Sequence, residues 1–423
     1  MHQRIKEIIQ FTNDKFGLED YYLQSHSLNR HVNIFNETEY TLCMEWFPQH
    51  TTIVEEGNTP DGAAMIEIDV NSHKIKSATF VNGKTYAKDG IAFTKPYVSD
   101  MIIWIEKEQG ITYGTQFETC KEEREVILFT ECLKGLAVYP PGSIEIKCDG
   151  EGKLTSLTVQ GHFPSMEQVM DEGYKLEVEK IPQLKWEQIK LMDFPLSDQK
   201  RLVPIYAVEE IYVMNSPLRT IAHDFFIEIS SYTEINQILE WEEPIHRPYE
   251  HGVVSWIEEI TPEQAFAREA APESYPITKA EQDQCVIAIR DFLRKVYPKE
   301  SGTWKVNSLF RDKGYIHALL QANKPTNHLF ERKLKVIILA ESFEVVNYID
   351  NKLLLERQTS LQLPGKITVA KEEAYEKLKD QFVLKPCYVY DKGQKKYFLG
   401  GKLDCYYGVH AVTGELVAMD DLK

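Results

Sequence analysis

The sequence predicts an α+β protein built of tandem modules, each a helix packed on an antiparallel β-sheet. Three observations predict it: a strand-turn-strand pattern that recurs, a helical stretch ahead of most copies, and a cluster of prolines separating the chain into two parts. The terminal copy reads Val409-His410-Ala411-Val412-Thr413-Gly414-Glu415-Leu416. Ile68-Asp69-Val70-Asn71-Ser72-His73-Lys74-Ile75 and Ile338-Leu339-Ala340-Glu341-Ser342-Phe343-Glu344-Val345 align with it without a gap, apolar at the first, third and eighth positions. Two looser copies, residues 146–154 and 227–235, carry one extra residue. Apolar residues flanking a short polar turn are what a hairpin with one buried face requires, and recurrence of the pattern points to a duplicated unit.

The elements follow in chain order. Ile5, Ile8, Ile9, Thr12 and Phe16 share one helical face before Gly17 stops the helix. Thr41 to Phe47 reads as a strand, Pro96 to Gln109 as a helix closed by Gly110, and Val126 to Cys132 as a strand. Ser165 and Gln168, just after Pro164, mark a helix start, and Val203 to Val213 is strand-like. The stretch Glu242 to Pro276 holds five prolines (244, 248, 262, 272 and 276), which suit neither a long helix nor a central strand. Within it, Val253-Val254-Ser255-Trp256-Ile257 is apolar enough to dock. Thr278-Lys279-Ala280-Glu281 has the spacing of a capping box, in which hydroxyl and carboxylate each satisfy a free backbone donor. Val286, Ile289, Leu293 and Val296 then form that helix's buried stripe, and Tyr315 to Gln321 follows as a strand. The last helix begins at Thr368, with Lys371 at the box position and Ala370, Ala374, Leu378 and Phe382 as its stripe. Cys387 to Val389 and Lys396 to Leu399 close the series as strands.

Composition narrows the function classes. The net charge is -17, from 48 basic and 65 acidic residues, where a nucleic-acid or anionic-membrane surface needs a basic face. The N-terminus lacks a basic stretch leading into an apolar core, and no apolar run of about 18 residues occurs, so a soluble, cytoplasmic chain without membrane insertion is expected. Seven scattered cysteines (43, 120, 132, 148, 285, 387 and 405) contain no Cys-x-x-Cys pair and fit a reducing compartment.

Candidate chemistry is sparse. Glu240, Glu242, Glu243, His246, Glu250 and His251 offer oxygen and imidazole donors, yet no pair has the helical spacing that sets two metal ligands on one face. A solvated loop is the simpler reading. Asp149-Gly150-Glu151-Gly152 is too short for a calcium loop of about twelve residues and reads as a hairpin turn. Cys43, Cys120 and Cys132 are the conceivable nucleophiles, with His26, His31, His50 or His162 as partners, but none stands in a Gly-framed elbow. Buried packing is the expectation for these thiols and for the six tryptophans (46, 104, 186, 241, 256 and 304). No catalytic, cofactor-binding or metal residues are assigned.

The C-terminal residues resemble a known family. Ile277-Thr278-Lys279-Ala280 and Ile367-Thr368-Val369-Ala370 open two units, followed by Tyr388-Val389-Tyr390, Lys396-Tyr397-Phe398-Leu399 and the closing Ala411-Val412-Thr413-Gly414-Glu415-Leu416. This looks like the PepSY-type module, in particular the tandem version of the YcdB/YcdC repeat family of Gram-positive bacteria. The resemblance covers 277–423 with two modules, and 1–235 more weakly with three degenerate ones. Val409-His410 departs from it, standing where the pattern has an acidic residue before the alanine. The expected organisation is an N-terminal domain of degenerate repeats over 1–241, a Pro-rich connection over 242–276 and a C-terminal domain over 277–423. With no nucleophile elbow, metal-ligand pair or phosphate loop in the sequence, the leading expectation is a non-enzymatic binding or interaction protein without cofactor, with a protein or peptide partner; the resemblance adds modulation of a peptidase. The alternative is a hydrolase with a site assembled between the domains.

Overall fold

In the computed structural model the protein is described over all residues except 52–58, 124, 171–172, 197–200, 216–217, 223–231, 324–331, 359–364 and 423. The fold is α+β with antiparallel sheets. Among the described residues the helices are α1 (Gln3–Phe16), α2 (Tyr97–Gln109), α3 (Pro182–Gln188), α4 (Pro262–Ala267), α5 (Lys279–Val296), α6 (Lys352–Gln358) and α7 (Lys371–Leu378). The chain divides into two compact units that are discontinuous in sequence: one comprises Met1–Glu172, Glu258–Ser274 and Cys387–Phe398, the other Gly173–Ile257, Tyr275–Pro386 and Leu399–Lys423.

The first unit is built on β1 (Tyr21–Val32), β2 (Thr38–Pro48), β3 (Ala64–Asp69), β4 (Ile75–Phe80), β5 (Phe117–Glu123), β6 (Val126–Leu133), β7 (Leu136–Tyr139), β8 (Ser143–Cys148) and β9 (Leu154–Gln160). They run in the spatial order β1-β2-β3-β4-β9-β8-β6, with β5 also paired to β6, and Cys387–Val389 adds a short parallel pairing to β7. Alternation decides the layers. Leu42, Ile66, Ala78, Leu157, Ile144 and Phe129 point to one face and are buried against Ile5, Ile8 and Phe16 of α1 and Met101 and Ile105 of α2. Ser25, Ser27 and Asn29 of β1, Thr41 and Glu45 of β2, Glu67 of β3, Ser77 and Thr79 of β4, and Ser156 and Thr158 of β9 fall on the opposite face, as their pairing register requires.

The second unit contains β10 (Ile189–Leu196), β11 (Arg201–Val208), β12 (Ile211–Asn215), β13 (Leu218–Ala222), β14 (Tyr232–Leu239), β15 (Trp304–Asp312), β16 (Tyr315–Ala322), β17 (Lys333–Leu339) and β18 (Val345–Asp350). Later strands are β19 (Phe382–Asp391), β20 (Lys396–Cys405), β21 (Tyr407–His410) and β22 (Leu416–Ala418). β14 to β18 form a five-stranded meander, and β10-β11-β21-β22 form a four-stranded sheet. Cys285, Ile289, Phe292 and Leu293 of α5 fill one face of the meander against Val306, Ile316 and Val336. On the other face Trp256 stacks on the buried His317 (5.8 Å, 12°), and Phe310 stacks on the same ring (4.9 Å, 11°). Ser255 N donates to Tyr315 Oη at 3.0 Å, so this part of the Pro-rich stretch docks on the meander, although Trp256 keeps 46% of its surface exposed.

Four of the five recurring segments are antiparallel hairpins: β3–β4, β8–β9, β17–β18 and β21–β22. The fifth lies mostly on residues outside the described ones. In the three gap-free copies the first and eighth residues face each other, as Ile68 with Ile75, Ile338 with Val345 and Val409 with Leu416. Their turns share one hydrogen-bond pattern: His73 N to Asp69 O, Phe343 N to Leu339 O and Gly414 N to His410 O, all near 2.9 Å. Residues 73, 343 and 414 all have positive φ (59°, 57° and 75°), which glycine adopts at least cost. The β8–β9 turn is one residue shorter, not longer, because Cys148 rather than Ile146 opposes its partner, Leu154.

Three other expectations change. Ser165 and Gln168 form the anticipated reciprocal cap, but only a single 3₁₀ turn follows, since Met170 N is drawn to Tyr397 O at 2.8 Å. Thr368 does not cap α7: its hydroxyl donates to Val412 O at 2.6 Å and Ala370 stands at the cap. Phe382 lies beyond that helix and opens β19.

Candidate functional site

A cleft of about 530 Å³ opens in the first unit, lined by Glu37 to Tyr40, Asp69, Asn71, Ser72, Lys74, Lys76, Gln109, Ile111, Val159, Gly161 to Phe163 and Arg268. It lies where β2 begins, β3 ends, β4 begins and β9 ends. Glu39 is its electrostatic centre. One carboxylate oxygen accepts from Asn33 Nδ2 at 2.9 Å and lies 3.6 Å from His162 Nδ1. The other accepts from Lys76 Nζ at 2.7 Å and lies 3.3 Å from His31 Nε2. His31 is the direct cross-strand neighbour of Glu39 in the β1–β2 register, while Phe35 packs edge-on against His162 at 4.2 Å.

Burial by itself raises a carboxyl, but hydrogen bonds from His162, His31 and Lys76 outweigh it and hold Glu39 far below the carboxylate range. Glu39 therefore stays ionised. A carboxylate held ionised in this way has no proton to give, so it suits holding the cleft's shape rather than acting as a general acid. Around it, Lys74 Nζ donates to Gln109 O at 2.6 Å, and Asp69 Oδ1 accepts from Asn71 N, Ser72 N and Ser72 Oγ at 2.6–3.1 Å.

The histidines considered as thiol partners thus separate. His31 and His162 converge on Glu39; His26 is exposed on β1, and His50 packs edge-on against Tyr86 at 4.4 Å. Cys43 accepts from Asn29 Nδ2, and burial followed by the Glu67 carboxylate pushes its thiol up to about 12. Burial likewise pushes Cys285 up to about 12 and raises Cys132, Cys148 and Cys405. Cys120 is exposed. A thiol held this high is almost wholly protonated at neutral pH and a weak nucleophile.

The acidic loop is structurally engaged. Arg294 Nε donates to Glu243 O at 2.7 Å, and His251 pairs with Asn347 Oδ1 at 3.1 Å and stacks on Tyr348 at 5.2 Å. Among the described residues no group of three His, Cys, Asp or Glu is placed to hold a metal ion. No helix among them is long and apolar enough to cross a membrane. In the β8–β9 turn, Asp149 Oδ1 accepts from Glu151 N and Lys153 N, both at 2.9 Å.

A second polar feature went unflagged in the sequence. Glu131 of β6 is 1% exposed; one carboxyl oxygen accepts from Gly142 N at 2.7 Å and the other has no partner among the described residues. Burial pushes its carboxyl up to about 8 against the pull of the Gly142 bond. Tyr397 is fully buried, its hydroxyl also lacks a partner among the described residues, and burial and then Glu131 raise its pKa.

No protein-family model matches the chain, and no curated protein does. Among solved structures it is similar to the Bacillus megaterium YpeB C-terminal domain, at 6% identity over 83% of this chain and 97% of that chain, with a TM-score of 0.26. A likeness that faint carries no argument about function.

Proposed function

We propose that this is a non-enzymatic binding protein whose first unit presents a polar sheet face, ending in the Glu39 cleft, to a protein or peptide partner. Membership of a PepSY-like repeat family is part of the same proposal, on the motifs quoted above. The observation that carries it is the two-sidedness of the sheet: α1 and α2 cover one face, and the other is a field of hydroxyls and carboxylates. These groups are already ordered. Thr41 Oγ1 donates to Glu67 at 2.5 Å, Ser25 Oγ to Glu45 at 3.0 Å and Ser77 Oγ to Glu67 at 3.4 Å. A preorganised polar surface loses little side-chain freedom when a partner arrives. The net charge of -17 favours a basic partner and binding that weakens with salt.

Affinity purification from the native cell tests this, using wild type and the face variants Glu67→Lys and Thr158→Lys. The expected result is a protein captured by wild type and lost from both variants, with capture declining between low and physiological salt. Capture indifferent to both substitutions would remove the face from the account.

A further inference from the structure

We infer that the Glu39 cleft is a carboxylate-binding site, with Arg268 as the residue that receives the anion. This rests on the reading of the first unit as a binding module and names the ligand group it takes. The cations lining the cleft are not equivalent. Lys76 pairs with Glu39 and Lys74 donates to the Gln109 carbonyl, whereas the Arg268 side chain has no hydrogen bond or ion pair among the described residues and keeps its whole donor fork for a ligand. The backbone around it is nevertheless held in place. Tyr40 Oη donates to Glu269 O, Ala271 N to Thr38 Oγ1 (both 2.8 Å) and Asn71 Nδ2 to Ala265 O (3.2 Å), fixing the backbone on either side.

Arg268 also caps α4 with φ of 53°, a left-handed conformation that glycine adopts without strain. The residue at that cap lines the cleft. A guanidinium matches a planar carboxylate through two parallel N–H donors.

Charge selects a monoanion. Lys74, Lys76 and Arg268 balance Glu37, Glu39 and Asp69 among the lining residues, so the cleft has no surplus positive charge with which to offset a second negative charge on a ligand. One carboxylate matches the Arg268 guanidinium, which has no ion pair among the described residues, whereas a phosphate dianion leaves a second charge unbalanced. Ile111, Val159 and Phe163 offer apolar contact to the remainder of the ligand, and a volume of about 530 Å³ is within the range of small-molecule sites.

The test titrates the full chain with N-acetyl-leucine, its amide N-acetyl-leucinamide and inorganic phosphate, following the methyl resonances of Ile111 and Val159. The expected result is a saturable shift with the acid, at least about tenfold weaker with the amide and with phosphate, and lost in Arg268→Gly. Glycine relieves the backbone at this position, so this variant keeps or raises Tm and its loss of binding is not a loss of folding. Equal response to acid and amide, tighter binding of phosphate, unchanged binding by Arg268→Gly, or no saturable shift would each overturn the assignment. None of these outcomes bears on the face variants above, so the two proposals fail separately.

Discussion

Replacing Glu131 by Gln should stabilise the protein at neutral and alkaline pH and leave it unchanged in mild acid. Glu131 is buried with one unpartnered oxygen, and its carboxyl is moved from an ordinary 4.5 to about 8. The native state therefore keeps a proton that the unfolded chain releases. Because the folded value is the higher one, stability is fully present below about pH 4.5 and is lost as pH rises through about 8. At about 1.4 kcal/mol per pH unit the loss is about 3 kcal/mol at pH 7 and approaches about 5 kcal/mol above pH 8. Gln mimics the neutral acid: its amide oxygen can accept from Gly142 N as the carboxyl does. Urea unfolding at intervals from pH 5 to 9, for wild type and Glu131→Gln, reads the difference directly. The curves should meet near pH 5 and diverge by about 3 kcal/mol by pH 7. Parallel curves across the range would refute the reasoning.

His317 should impose the mirror-image dependence on the second unit: burial, with Lys335 adding to it, pushes its imidazole down to about 3 despite Asp312 Oδ2 at 3.7 Å. Stability is then present above about pH 6.5 and falls by about 2 kcal/mol on acidification to pH 5, a loss that His317→Phe should abolish when Trp256 fluorescence is followed in urea. His410 Nδ1 accepts from Val412 N and Thr413 N at 3.1 and 3.3 Å, the role Asp69 Oδ1 plays in the β3–β4 turn. His410→Asp should leave Tm nearly unchanged, while His410→Ala costs about 1 kcal/mol. Gly152 combines φ of 87° with a Cβ position 2.1 Å from Phe93 O, so Gly152→Ala should cost about 3 kcal/mol or more in thermal unfolding. Gly110→Ala, where φ is 68° and the space is open, should cost about 1 kcal/mol.

What was legible in the sequence was local. The stripe of α1, the capping box of α5 and the hairpin turns depend on residues within a few positions of one another, and each formed. The departure at His410 also became intelligible, because an imidazole nitrogen can replace the acidic acceptor, Asp69, of the β3–β4 turn. The cleft was not legible. His31 meets Glu39 through a strand register, Lys76 reaches it from a strand 37 residues away, and Arg268 arrives from a short helix in the Pro-rich stretch. The sequence offers His31 and His162 only as conceivable thiol partners, since nothing local ties them to a buried acid. Glu131 gave no signal either. Its neighbours Thr130 and Cys132 are consistent with a strand, but which face of β6 loses its water depends on distant chain.

The central claim is that this protein binds and does not turn over a substrate. The most direct test is a screen of the pure protein against ester, peptide and phosphate substrates, with Cys43, Cys120, Cys132, His31 and His162 variants alongside. The account predicts no turnover above the buffer control for wild type, and no difference among the variants. Reproducible hydrolysis abolished by any one of those substitutions would contradict it and establish an enzyme instead.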